Sequence, residues 1–113
     1  MRIPTWSIPA MLAVASVASA HAHLKQSAPA EGAVVSTAPA QIVLTFSEPA
    51  LVTSLSIQHD AGQPEKLGPV PKQAEVTVTV PTPGLTPGKY IVTWRAVSND
   101  RHITSGQVRF TVA

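Results

Sequence analysis

The stretch Leu85-Thr86-Pro87-Gly88-Lys89-Tyr90-Ile91-Val92-Thr93-Trp94-Arg95-Ala96 decides the fold. In its second half Tyr90, Val92, Trp94 and Ala96 fall on one face, and Arg95 turns to solvent. That period of two marks a strand with one buried side. The first half, Leu85 to Tyr90, has the form of a tyrosine corner. In that feature of Greek-key sandwiches, a Tyr near the start of a strand hydrogen-bonds back across the connection before it.

The neighbouring segments repeat the pattern. Glu75 to Val80 alternates cleanly, predicting Val76, Val78 and Val80 inside and Thr77 and Thr79 outside. Gln41 to Phe46 places Ile42, Leu44 and Phe46 on one face, and Ser47-Glu48-Pro49 is expected to stop it. Val52 to His59 reads as a further strand with Leu55 and Ile57 inward. Asp60-Ala61-Gly62-Gln63 then forms a turn in which Gly62 supplies a positive φ. Pro69 and Pro71 leave room only for a short edge strand near Lys66-Leu67. Leu24 to Ser27 makes a first strand, and Gln107 to Val112 closes the sheet with Val108, Phe110 and Val112. Helix signals are nearly missing. The expected class is all-β, about seven antiparallel strands in a Greek-key sandwich or flattened barrel.

The first twenty residues do not belong to this domain. Arg2 is followed by the short apolar run Ile8 to Ala15 and by Ala18-Ser19-Ala20, a small-x-small cleavage site. These are the parts of a secretory signal peptide, and the run is too short to span a bilayer. Residues 1–20 are therefore read as signal and 21–113 as one β domain of 93 residues. Cleavage after Ala22 also satisfies the Ala-x-Ala rule and would leave His23 first.

Composition narrows the chemistry. Without Arg2 the chain holds 7 Lys+Arg against 6 Asp+Glu, with no basic block, so nucleic-acid binding has no electrostatic footprint. There is no Cys, and both methionines, Met1 and Met11, lie in the signal, so the mature chain is free of sulfur. Disulfides, thiolate metal sites and Cys catalysis are excluded. There is no nucleophile-elbow motif to organise Ser47, Ser98 or Thr104 for hydrolysis.

Two metal-competent side chains appear where the alternation of the deciding strand runs out, in Val97-Ser98-Asn99-Asp100-Arg101-His102. If strand geometry persists, Asp100 and His102 project from the same face. Cleavage after Ala20 makes His21 the N-terminus, where its α-amine and imidazole chelate one ion. Both nitrogens must be unprotonated, so acid weakens binding. The His21 amine, the His21 and His102 imidazoles and the Asp100 carboxylate give three nitrogens and one oxygen. That set suits one Cu(II) ion, the strongest binder among divalent first-row metals. Calcium and magnesium want more oxygens. The start His21-Ala22-His23 offers a competing local mode through the amine, two deprotonated amides and the His23 imidazole. The folded site is favoured over it, because Leu24 already belongs to the first strand.

Several motifs together resemble the CopC family of periplasmic copper-binding proteins. They are His21-Ala22-His23-Leu24-Lys25-Gln26-Ser27-Ala28-Pro29-Ala30, Leu44-Thr45-Phe46-Ser47-Glu48, Leu85 to Tyr90, and Trp94 to His102 with Gly106. The resemblance covers nearly all of the mature chain. It implies a cupredoxin-like Greek-key β-barrel that holds Cu(II) through His21, Asp100 and His102, with Glu48 near the copper. It also implies a non-enzymatic protein for copper sequestration, resistance or delivery to an inner-membrane transport partner of the CopD type; a monomer is expected. Some family members carry a second, Met-rich Cu(I) site. Here the corresponding stretch, Ser54 to Lys72, has no Met, so the Cu(II)-only subtype is expected and His59 is read as structural or exposed. Two rival readings remain. The N-terminal histidine brace of copper-dependent polysaccharide oxidases belongs to larger proteins with a flat substrate face. A metal-free sandwich would serve adhesion or chaperone work.

Overall fold

The computed structural model describes residues 22–113; the expected signal peptide, residues 1–20, and His21 lie outside the described residues. Seven strands are formed: β1 (Leu24–Ala28), β2 (Ala33–Val35), β3 (Gln41–His59), β4 (Glu65–Lys66), β5 (Glu75–Pro81), β6 (Gly88–Ser98) and β7 (Ile103–Val112). There is no helix among the described residues. The hydrogen-bonded order is β1-β3-β6-β7-β2, with β4 and β5 also pairing with β3.

The organising element is β3, which runs for 19 residues. Its first half, Gln41 to Thr45, pairs with β5 and lies against β1 on its other edge. Its second half, Ala50 to His59, pairs with β6 instead. The ladder to β5 jumps from Thr45↔Thr77 to Ala50↔Glu75, so the residues between them bulge out of the pairing. Pro49, which has no N–H to donate, sits in that bulge. The expected stop at Ser47-Glu48-Pro49 is thus a bend within one strand that carries the chain from one layer to the other. A second irregularity, between Val52 and Ser54, flips the parity. Ala50 and Val52 face inward before it, and Leu55 and Ile57 after it.

The two layers enclose the apolar rows expected of them. Ile42, Leu44 and Phe46 from β3 meet Tyr90, Val92, Trp94 and Ala96 from β6, with Val108, Phe110 and Val112 from β7 alongside. Phe46 and Trp94 make an edge-to-face contact across the core, ring centroids 5.2 Å apart. Each such fully buried large side chain contributes about 1.5–3 kcal/mol by leaving water. Gly106 stands opposite Trp94 in the ladder, where a Cβ would come within 2.9 Å of the indole. Val76 departs from expectation: it is 43% exposed, because it faces the gap where β3 bulges away from β5.

The tyrosine corner is formed. The Tyr90 hydroxyl donates to the Thr86 carbonyl at 2.6 Å and accepts from the Thr86 N–H at 3.0 Å. His59 stacks on the Tyr90 ring at 4.5 Å, and its Nε2 lies 3.1 Å from the Pro87 carbonyl oxygen. His59 is therefore structural, a clip on this corner. The positive φ of the preceding turn belongs to Asp60 (φ 51°) rather than to Gly62. Strand β2, which the sequence reading did not anticipate, pairs in parallel with the end of β7.

Candidate metal centre

Strand β6 does not continue to His102. It ends at Ser98, and the four residues Asn99-Asp100-Arg101-His102 return the chain into β7. The Arg101 N–H donates to the Ser98 carbonyl at 2.9 Å, and the Ser98 N–H donates to the His102 carbonyl at 3.0 Å. Arg101 takes the left-handed conformation, φ 70°. This is a tight hairpin closed by a left-handed third residue, a position where glycine fits without strain. The expected convergence of Asp100 and His102 is realised, through a turn instead of along one strand face.

The hairpin holds the two side chains in contact. His102 Nδ1 lies 2.8 Å from Asp100 Oδ2, and the Ser98 hydroxyl donates to Asp100 Oδ1. The carboxylate is thus addressed at both oxygens, from a buried hydroxyl on one side and an imidazole on the other. An ionised carboxylate has about four acceptor positions, so these bonds leave it able to take a cation. The Ser98 bond is the main reason the Asp100 carboxyl is lowered from 3.8 to about 2. Partial desolvation opposes that shift, and the His102 ring and N–H add to it. Facing a carboxylate, Nδ1 carries the proton and Nε2 points away from Asp100; one ion held by both side chains would replace that proton between Nδ1 and Oδ2. The His102 side chain is 61% exposed and that of Asp100 27%, so both are open to an incoming ion.

The first described residue is fastened beside this hairpin. Ala22 is fully buried, and its carbonyl accepts from the Thr104 hydroxyl at 3.1 Å. Thr104 lies two residues beyond His102 on β7. The His23 N–H donates to Ser47 Oγ at 2.9 Å, and its carbonyl accepts from the Ser47 N–H at 2.7 Å. Amide wrapping around a metal at His23 would have to break the first of these bonds. Glu48 is half-buried in the bend of β3, two residues before Ala50, which stands opposite Ser98. Its carboxylate makes no hydrogen bond or ion pair among the described residues. His59 is at the other end of the molecule. It pairs with Tyr90, eight residues and roughly 26 Å of strand away from Ser98.

No cluster of three or more His, Asp or Glu occurs among the described residues, and Asp100 and His102 form a pair. The sequence reading did not single out Ser98 and Thr104 as supports. Ser98 had a visible signal, a hydroxyl on the inward face otherwise made of Tyr90, Val92, Trp94 and Ala96.

Comparison with known proteins places this architecture. The CopC domain model matches residues 24–113. The chain is 40% identical over 110 residues to copper resistance protein C of Pseudomonas syringae pv. tomato, covering 88% of this chain and 86% of that protein. Among solved structures it resembles CopC from Methylosinus trichosporium OB3b, with TM-score 0.70 and 28% identity, over 81% of this chain and 93% of that one. PcoC, a methionine-rich copper resistance protein from Escherichia coli, matches with TM-score 0.63 and 33% identity, over 82% and 99% of the two chains. With its family match, its level of identity and its shared fold, this chain belongs to the CopC family.

Proposed function

We propose that the processed protein binds one Cu(II) ion at the β6–β7 hairpin, through Asp100, His102 and the amine and imidazole of His21. The observation that carries this reading is the Thr104–Ala22 hydrogen bond. It ties the residue after His21 to the strand that follows His102, so a chain starting at His21 begins beside the Asp100–His102 pair. The names of the relatives support copper as the ion. The donor set of nitrogen and oxygen supports the divalent state, because a chain without Cys or mature Met gives Cu(I) little. His23 stays outside the donor set, its backbone committed to Ser47. Glu48 acts as an outer carboxylate near the ion.

The protein is a binding protein and not an enzyme, in keeping with its family. It works in the periplasm after signal cleavage, as a monomer that sequesters Cu(II) or passes it to a CopD-type inner-membrane transporter. The test is Cu(II) EPR with chelator competition on the exported protein, its N-terminus fixed by intact mass. Three nitrogen donors and loss of binding in Asp100→Ala and His102→Ala are expected. Binding that survives both substitutions contradicts the reading.

A further inference from the structure

Among the described residues Ser98 is the one buried residue outside the apolar class, only 4% exposed. It ends the inward row of β6, opposite Ala50 of β3, where an alanine or valine would satisfy the core equally well. Burying a hydroxyl is unfavourable unless it is bonded. This one is bonded to Asp100 Oδ1, and its oxygen also lies 3.2 Å from the His102 carbonyl. A hydroxyl carries one proton, and the charged carboxylate is the stronger acceptor for it. The His102 carbonyl is already served by the Ser98 N–H.

We infer that Ser98 is a positioning residue for the copper site, acting through Asp100 from inside the core. The proposal rests on the Cu(II) reading above and adds a residue to it. Asp100 sits in an exposed loop, where each bond to its carboxylate narrows the choice among staggered orientations. The Ser98 hydroxyl, fixed by the packing of β6 and β3, holds Oδ1. That leaves Oδ2, on the His102 side of the carboxylate, as the oxygen offered to the ion. A core residue thereby fixes the carboxylate of an exposed turn before any metal arrives. Outer partners of this kind orient ligands and typically matter 10- to 100-fold in metal affinity, on the order of what is expected here.

The test compares Ser98→Thr with Ser98→Val in the exported, processed protein. The two substitutions add the same bulk at a buried position and differ in the hydroxyl, so any cost in folding from size is shared. Ser98→Thr is expected to hold Cu(II) within about threefold of the parent, and Ser98→Val to lose about 10- to 100-fold. Ser98→Val should also change the EPR hyperfine splitting, which a purely structural role would leave alone. Equal affinities and spectra for the two variants overturn the proposal. Asp100→Ala and His102→Ala run beside them separate the two levels. If those lose copper and the Ser98 pair does not differ, only the positioning role fails. If those keep copper, the site reading itself fails and the positioning role with it.

Discussion

The Thr104 hydroxyl and the Ala22 carbonyl meet at 3.1 Å across most of the length of the domain. This bond joins the first described residue to the strand that follows His102. In a protein cleaved after Ala20, as proposed, it would hold a new terminus, ordinarily the loosest part of a domain, to the proposed site.

Thr104→Val removes the hydroxyl while keeping the shape. One such neutral hydrogen bond is worth about 0.5–1.5 kcal/mol net, which corresponds to a roughly 2- to 10-fold weaker hold on Cu(II). Chelator competition measures it. Unchanged affinity would mean that the arm finds the hairpin without this anchor.

Asp100 is expected to contribute to the acid limb of stability. Its carboxyl is held at about 2, chiefly by the Ser98 hydroxyl, against 3.8 when unperturbed. A group lowered on folding contributes stability above its unfolded value, and that stability is lost as pH falls through the folded value. In the metal-free protein this loss falls between about pH 4 and pH 2. Asp100→Asn should flatten the pH dependence of the urea midpoint in that window and leave its slope unchanged at higher pH. Identical slopes in the two proteins would contradict the role given to the Ser98–Asp100 bond. In the proposed site, copper release at pH values above this window would belong to the nitrogen donors, which must lose protons to bind.

Arg101 occupies the left-handed third position of the hairpin, φ 70°. That conformation costs a side-chain-bearing residue about 1–2 kcal/mol, while glycine loses about 0.5–1 kcal/mol more backbone entropy on folding. Arg101→Gly should therefore raise the unfolding free energy by up to about 1 kcal/mol, with the Asp100–His102 contact kept. Urea titration reads the first effect and Cu(II) competition the second. A clear loss of stability would show that the guanidinium makes a contribution larger than the backbone strain.

Tyr90 lies at the far end of the sandwich. Tyr90→Phe removes both bonds to Thr86, for an expected destabilisation of about 1–3 kcal/mol with Cu(II) affinity unchanged. Denaturant unfolding and copper competition on the same protein separate the two ends. Copper binding that falls together with stability would show the ends to be coupled.

The parts of the fold legible in the sequence were those written in period two. Tyr90 to Ser98 and Val108 to Val112 alternate so regularly that their inward faces are correct residue by residue. The long-range features were less visible. Pro49 looks like a terminator, and only the switch of partner from β5 to β6 makes it a bend within β3. Strand β2 is three residues long and exists because β7 offers an edge to pair with, which no local pattern announces. Asp100 and His102 were legible as a pair, although the i, i+2 argument assumed a strand where a hairpin does the work. Ser98 and Thr104 went unassigned because their partners are reached through the folded chain, and a hydroxyl alone carries no chemical signature.

The central claim is that the copper site is completed by the amine of His21. The most direct measurement compares Cu(II) binding and EPR of the processed protein with those of the same protein carrying one extra glycine before His21. The expected result is three nitrogen donors in the first, with strongly weakened binding and an altered spectrum in the second. Equal affinity and identical spectra in the two would show that the amine is not a ligand.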